Sequence, residues 1–292
     1  MSTGSMGFQG KVAIDSASIT TGSPGFDFDE CGITMESEII DASGQRGSRE
    51  RYSERTREGI QRVGGTMTIY PSGGDLVLLL PWILGGDASG SSYPLAETLP
   101  VRNIMVDKVA KVYTYAGCKV SRATFSCAEN QPMKLSLDTV GQTETEGDPG
   151  TFPVLTTTNA VPYVFFDSVL TMLSSARKMK SFTLTIDNHL LVEFHNSQTA
   201  TLIQSQDRTI TLDFPSPWAA AETDLYRQAV AGAAASLALD NGDKTLTFSF
   251  ATLQVPSRGP VLNGRTEIPL QISAVARRVS TTPSLAVTLA DD

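Results

Sequence analysis

The chain has 292 residues, 40% of them apolar and 18% charged, and a net charge of −8. That is enough apolar side chain for a core, and the length suits two domains or one large β domain. The acidic balance argues against a protein that grips nucleic acid by neutralising phosphates. No apolar run approaches the roughly 20 residues of a spanning helix, so no membrane insertion is expected.

The start, MSTGSMGFQG, has neither the basic residues nor the apolar stretch of a secretory signal. Asp27, Asp29 and Glu30 cluster in GFDFDEC but lack the spacing of an EF-hand loop, and read as a solvated acidic turn. The three cysteines, at 31, 118 and 127, are odd in number and include no CxxC, so they make no disulfide framework. Cys118 and Cys127 stand in strand-like text and read as small buried hydrophobes, which suits a reducing cytoplasm. Ser43–Gln61 is a long charged insertion. Residues 45–58 hold five Arg and three Glu, a local +2 that leaves −10 for the rest. It has no apolar stripe, so it is not a core helix. Two readings are open: a solvated loop, or a docking loop whose arginines pair with carboxylates of a neighbouring copy.

Alternation of apolar and β-branched residues predicts half-buried strands at 66–70, 134–138, 182–187, 209–213 and 245–250. Gly74–Gly85 predicts a short helix, apolar nearly all round, stopped by Gly85-Gly86. Ala219–Gly232 predicts a second helix with Glu222 and Asp224 in its first turn. Trp82 and Trp218, at helix edges, read as core or interface anchors. Gln142–Pro162, rich in Thr, Gly and Pro, reads as a linker. The tail after Arg278, rich in Ser, Thr and Pro, reads as a short arm or a frayed end. His189 and His195 lie six apart in strand-like text, on one face and too far apart to share a metal. There is no GxSxG, P-loop, HExxH or Rossmann glycine fingerprint. No catalytic residue, cofactor or metal site is assigned, and no enzyme is expected.

The most informative feature is an internal repeat. Each half runs strand, loop, strand, helix, then two long strands. The closing strands align without a gap. Tyr113 and Tyr115 match Phe248 and Phe250, Cys118 and Val120 match Leu253 and Val255, and Leu135 and Leu137 match Leu270 and Ile272. Tyr70-Pro71-Ser72 before the first helix is matched with Phe214-Pro215-Ser216 before the second.

The stretches GGTMTIYPSGGDLVLLLPWILGG and LPVRNIMVDKVAKVYTYAGCKVSRATFSCAENQPMKLSLDTVG resemble the tail tube (major tail) proteins of siphophages, in the subgroup with two fused tube domains. The resemblance implies a mainly β fold: two tandem β-sandwich domains, each flanked by a short helix, over residues 8–144 and 163–280, with a linker at 145–162 and a C-terminal arm at 281–292. It implies a structural virion protein, made in the bacterial host cytoplasm and placed in the tail. Three copies would form a pseudo-hexameric ring, and rings would stack into a channel for DNA. Its partners would be itself, the tape measure protein, tail-end proteins and double-stranded DNA in transient passage. The 43–61 loop would contact the next ring through Arg46, Arg49, Arg51, Arg55 and Arg57. Candidate acidic residues of the channel wall are Asp138, Glu144, Glu146, Asp187 and Asp213. An acidic wall would repel phosphates. The alternatives are another ring-forming tail part (a tail terminator or head–tail joining protein) and a carbohydrate-binding β-sandwich. The latter usually presents aromatic clusters, whereas only two Trp are present here.

Overall fold

The computed structural model describes residues 5–291 except 43, 46, 48, 158–159, 228–230, 258, 261 and 263–266. The chain runs through β1 (Lys11–Asp15), β2 (Phe28–Cys31), β3 (Thr34–Asp41), β4 (Thr56–Ile69), helix α1 (Gly73–Leu84), β5 (Ser92–Tyr93), β6 (Arg102–Asp107), β7 (Val112–Ala128), β8 (Lys134–Gly141) and β9 (Thr143–Gly147). It continues through β10 (Ser168–Met172), β11 (Ser175–Arg177), β12 (Ser181–Asp187), β13 (Leu190–Glu193), β14 (Leu202–Ser205), β15 (Thr209–Pro217), β16 (Ala233–Asp240), β17 (Lys244–Gln254), β18 (Pro269–Arg277) and β19 (Leu285–Asp291). The fold is mainly β, consistent with the β-sandwich expectation.

The period-two text becomes alternating burial. On β12, Phe182, Leu184 and Ile186 are buried and the residues between them face outward. The two long strands, β7 and β17, each serve two sheets. The first part of β7 pairs with β6 and β9, and β6 pairs with β1. Its second part pairs with β8 on one side and β12 on the other. The first part of β17 likewise pairs with β16 and β19, and its end pairs with β18. The result is one continuous antiparallel sheet in the order β2/β3, β4, β8, β7, β12, β15, β18, β17. One of its faces packs on the shared apolar core; the other carries the outward-facing residues.

The strand plan is drawn twice, in matching register. Lys119 faces Val140 as Gln254 faces Val275. Met67 faces Leu137 as Phe214 faces Ile272. Val12 faces Val106 as Leu170 faces Leu237. The same registers correct one sequence match. Ile69 faces Leu135 where Ser216 faces Leu270, so the two Pro-Ser pairs are not counterparts. Ser72 caps α1, whereas Ser216 lies inside β15.

Helix α1 forms as expected. Its N-cap is Ser72, whose hydroxyl accepts from the Asp75 amide, and its C-cap is Gly85 at φ 94°. Leu76, Leu79, Leu80, Trp82, Ile83 and Leu84 are all buried. Trp82 lies within the helix rather than at its edge, and its indole donates to the Cys118 carbonyl at 3.1 Å. The second expected helix is instead a 3-10 segment, Ala220–Arg227. It is alanine-rich and polar, a weaker apolar anchor than α1, and its carboxylates are drawn to a buried cation. Arg177 reaches Asp224 at 2.7 and 2.9 Å and Glu222 at 3.3 Å.

Two further expectations are corrected. The stretch read as a linker begins with β9, which straddles the 144/145 boundary and adds to β7. Later in that stretch the Gly22 amide donates to the Val154 carbonyl and the Gly25 amide to the Thr156 carbonyl. The C-terminal arm is strand β19, with Leu285, Val287 and Leu289 buried against the core. Apolar alternation in LAVTLAD, short as it is, suffices to seat it.

Candidate functional site

Three surfaces stand out: a polar sheet face, a projecting hairpin and two open sheet edges. The polar face is built of cross-strand rows. One row is Thr68, Ser136, Thr124, Thr185 and Thr211, five hydroxyls in line across five strands. A second is Thr66, Asp138, Arg122, Asp187 and Thr209. A third is Lys134, Ser126, Thr183, Asp213 and Ser273.

The structure thus brings Asp138, Asp187 and Asp213 onto one face. Arg122 offsets two of these charges, however. Arg122 contacts Asp187 at 2.8 Å and Asp138 at 4.0 Å, and Thr66 donates to Asp138 at 2.6 Å. Asp29 at the sheet edge pairs with Lys134 at 2.9 Å. On this face the three candidate aspartates stand among rows of hydroxyls, with Asp138 and Asp187 sharing one arginine. Antiparallel register sets an arginine of one strand opposite aspartates of two others, a pairing invisible along the chain. Glu144 and Glu146 lie elsewhere, on β9 opposite Tyr115 and Tyr113 in the other sheet. Glu146 pairs with Lys111 at 2.8 Å, and with Asp148 it pushes that lysine up to about 12.

The hairpin corrects the loop expected at 43–61. β4 already begins at Thr56 and pairs with β3 as far as Asp41, so the last part of the insertion, from Thr56 on, is extended ribbon. Arg49, Arg51, Arg55 and Arg57 are exposed along it, Arg51 meeting Asp41 at 2.8 Å. Arg46 lies outside the described residues. The ribbon also exposes Ile39 (78%), Ile40 and Ile60. Charge counting missed these isoleucines; the Ile39-Ile40 pair outside any core pattern was the available signal. The base of the ribbon is braced by the β13–β14 hairpin: the Gln61 amide donates to the Gln198 carbonyl at 2.7 Å, and Arg62 stacks on Phe194 at 5.4 Å. The shorter segment 197–207, which precedes β15 as the insertion precedes the Thr66 strand text, includes β14.

His189 and His195 are not on one strand face. They occupy positive-φ corners on either side of β13, His189 beside the Asp207 carbonyl and His195 beside Glu193. Cys118 and Cys127 are buried, and burial pushes their thiols up to about 12 and about 11. Trp218 packs partly buried against the core.

The sheet edges complete the picture. Among the described residues β2 and β3 are paired on their β4 side alone, and the end of β17, past the Leu253–Ala233 pair with β16, is paired with β18. An open antiparallel edge is a template for another strand. Beside the β2 edge runs a groove of about 810 Å³, lined by Phe8, Phe26, Phe28, Phe152 and Leu155 among others.

No curated protein matches the chain. A family model described as "Phage tail tube protein" matches residues 7–276, nearly the whole length. Together with the β-sandwich architecture, this establishes that the chain belongs to the phage tail tube protein family, a structural, non-enzymatic component of the virion tail.

Proposed function

We propose that the chain is two tube domains fused in tandem, within residues 8–144 and 163–280 as first drawn but with β9 and β19 as integral strands, and that three copies close into a pseudo-hexameric ring. The observation that carries this is the continuous sheet, eight strands wide and open at both ends. Three such sheets make a barrel of roughly 24 strands, about 50 Å across the backbone at ordinary spacing and tilt. The core lies outside that barrel and the polar face inside, leaving room for a hydrated DNA duplex. Closure pairs both open edges of that sheet.

Rings stack through the projecting ribbon, whose arginines and exposed isoleucines offer charge pairing and apolar burial to the next ring. Such stacking is heterologous and does not close, so it propagates as a tube. The tape measure protein within the tube and the tail-end proteins at its tip are the remaining partners of a siphophage tail on this reading. The test replaces residues 43–54 by a two-residue turn. The variant is expected to stay folded by circular dichroism and to form no long tubes in negative stain. Tubes of normal length would refute the role of the ribbon, and wild-type protein solitary at every concentration would refute tube formation itself.

A further inference from the structure

The molecule contains a sheet-to-sheet joint already made, between β7 and β12, and its geometry specifies the joint not yet made. Through their pairing with β15 and β4, the residues of β12 have counterparts at the free edge. Phe182 corresponds to Cys31, Leu184 to Ile33, Thr185 to Thr34 and Asp187 to Glu36. Leu184 and Ile33 are both fully buried. On the other side of the joint, Lys119–Val140 matches Gln254–Val275, the last pair of β17; carried forward along the chain at the same offset, Ser257 is the counterpart of Arg122, Gly259 of Thr124 and Pro260 of Phe125. In the internal joint Arg122 faces Asp187 and Thr124 faces Thr185.

We infer that the β2–β3 edge accepts the continuation of β17 from a second copy of this chain, Ser257 opposite Glu36 and Gly259 opposite Thr34, and that this seam closes without the polar staples that hold the internal joint. The inference rests on the ring reading above. The apolar groove beside the edge fits the same occupant. In the internal joint the β7–β8 turn lies against Tyr163 and Phe165, with the Met133 amide donating to the Tyr163 carbonyl at 2.8 Å. The groove begins at Gly7 and Phe8, which precede β1 as Phe165 and Phe166 precede β10. Phe8 and Phe166 are exposed to 87% and 84%.

The staples are specific. Asn188, 1% exposed, donates to the carbonyls of Ile83 and Val120 at 3.2 and 3.1 Å. Arg208 holds its oxygen at 2.9 Å and donates to the Ala96 carbonyl at 2.6 Å. Lys119 donates to the Ile203 carbonyl at 2.8 Å, and Arg122 pairs with Asp187. At the corresponding positions of the seam stand Ser37, Gln61, Gln254 and Ser257, each shorter or uncharged. Ser37 faces Gln61 in the register slot next to Glu36–Arg62, as Asn188 follows Asp187–Thr209. The internal joint is therefore permanent and the seam reversible. This asymmetry lets the protein be stored as single chains and assembled on demand.

Two variants test this in the full chain with Cys31→Ala. Thr34→Cys with Gly259→Cys is expected to give interchain disulfides and closed covalent trimers under mild oxidation. Thr34→Cys with Pro260→Cys, one residue out of register, is expected to give few. Ser257→Arg restores the pair with Glu36 and is expected to lower the concentration at which rings form by on the order of fivefold per seam at low salt, an effect that Glu36→Gln abolishes. Rings or tubes that form without the in-register cross-link, or with equal cross-linking out of register, overturn the seam while leaving the ring reading intact. Unchanged assembly of Ser257→Arg overturns the missing-staple argument. Wild-type protein that never associates overturns the ring reading and the seam with it.

Discussion

Arg122 shows how a single side chain changes the meaning of a surface. Counted along the sequence, Asp138, Asp187 and Asp213 are acidic strand residues suited to an anionic wall. In register, one guanidinium holds two of them. Burial alone would raise the Asp187 carboxyl, but the His189 amide and the Arg122 guanidinium outweigh it and keep it below its ordinary range. A carboxyl depressed in the folded state stabilises the fold above its unfolded value of about 3.9, and that contribution is lost as pH falls through the lower folded value. Asp187→Asn is therefore expected to lower the denaturation midpoint at pH 7, with the gap to wild type closing as pH falls below the unfolded value. A gap constant across that range in urea titrations would rule the pairing out as a source of stability. Arg177 is the buried counterpart, its side chain 2% exposed against Glu222 and Asp224. Arg177→Ala leaves Glu222 buried without its cation and is expected to cost about 3–5 kcal/mol, measured by the same titrations.

At the scale of elements, the two halves place different segments after the same strand. The first segment is a true helix because its start and stop are both provided and one long apolar face is buried. Ser72→Ala removes the cap and is expected to cost about 1 kcal/mol. Gly85→Ala is expected to cost about 1–2 kcal/mol or more, since φ is 94° and an added Cβ would sit 2.6 Å from the Thr98 carbonyl oxygen. If Gly85→Ala were the milder of the two by calorimetry, the left-handed cap would not be what stops the helix. The second segment has a buried ion cluster where the first has leucines, and a 3-10 geometry results. Periodicity registers apolar faces well. It does not register a buried arginine supplied by a strand more than forty residues earlier.

For the whole molecule, the β7–β12 joint makes two repeats into one body. Residues from both halves share one core. Asn188 and Arg208 bind carbonyls of α1, β7 and the loop before β6. The chain is therefore expected to unfold in a single calorimetric transition whose van't Hoff enthalpy equals the measured one. Asn188→Ala with Arg208→Ala is expected to split or broaden that transition. Two transitions in the wild type would mean that the halves are independent.

Much was legible in the residues alone. Alternation of threonine with apolar side chains marks strands because a pleated strand buries every second residue. Ser72 with Gly85 marks the helix because those two types satisfy its unpaired ends. The match of closing strands between the halves marks a shared plan because identical burial demands identical parity. Nothing local tells which strand lies beside which, and the tertiary structure alone decided that. It turned the end of a charged loop into ribbon, paired two of the aspartates with Arg122 and made one joint while leaving its copy open. Each of these depends on contacts between residues far apart in the chain, which no local pattern encodes.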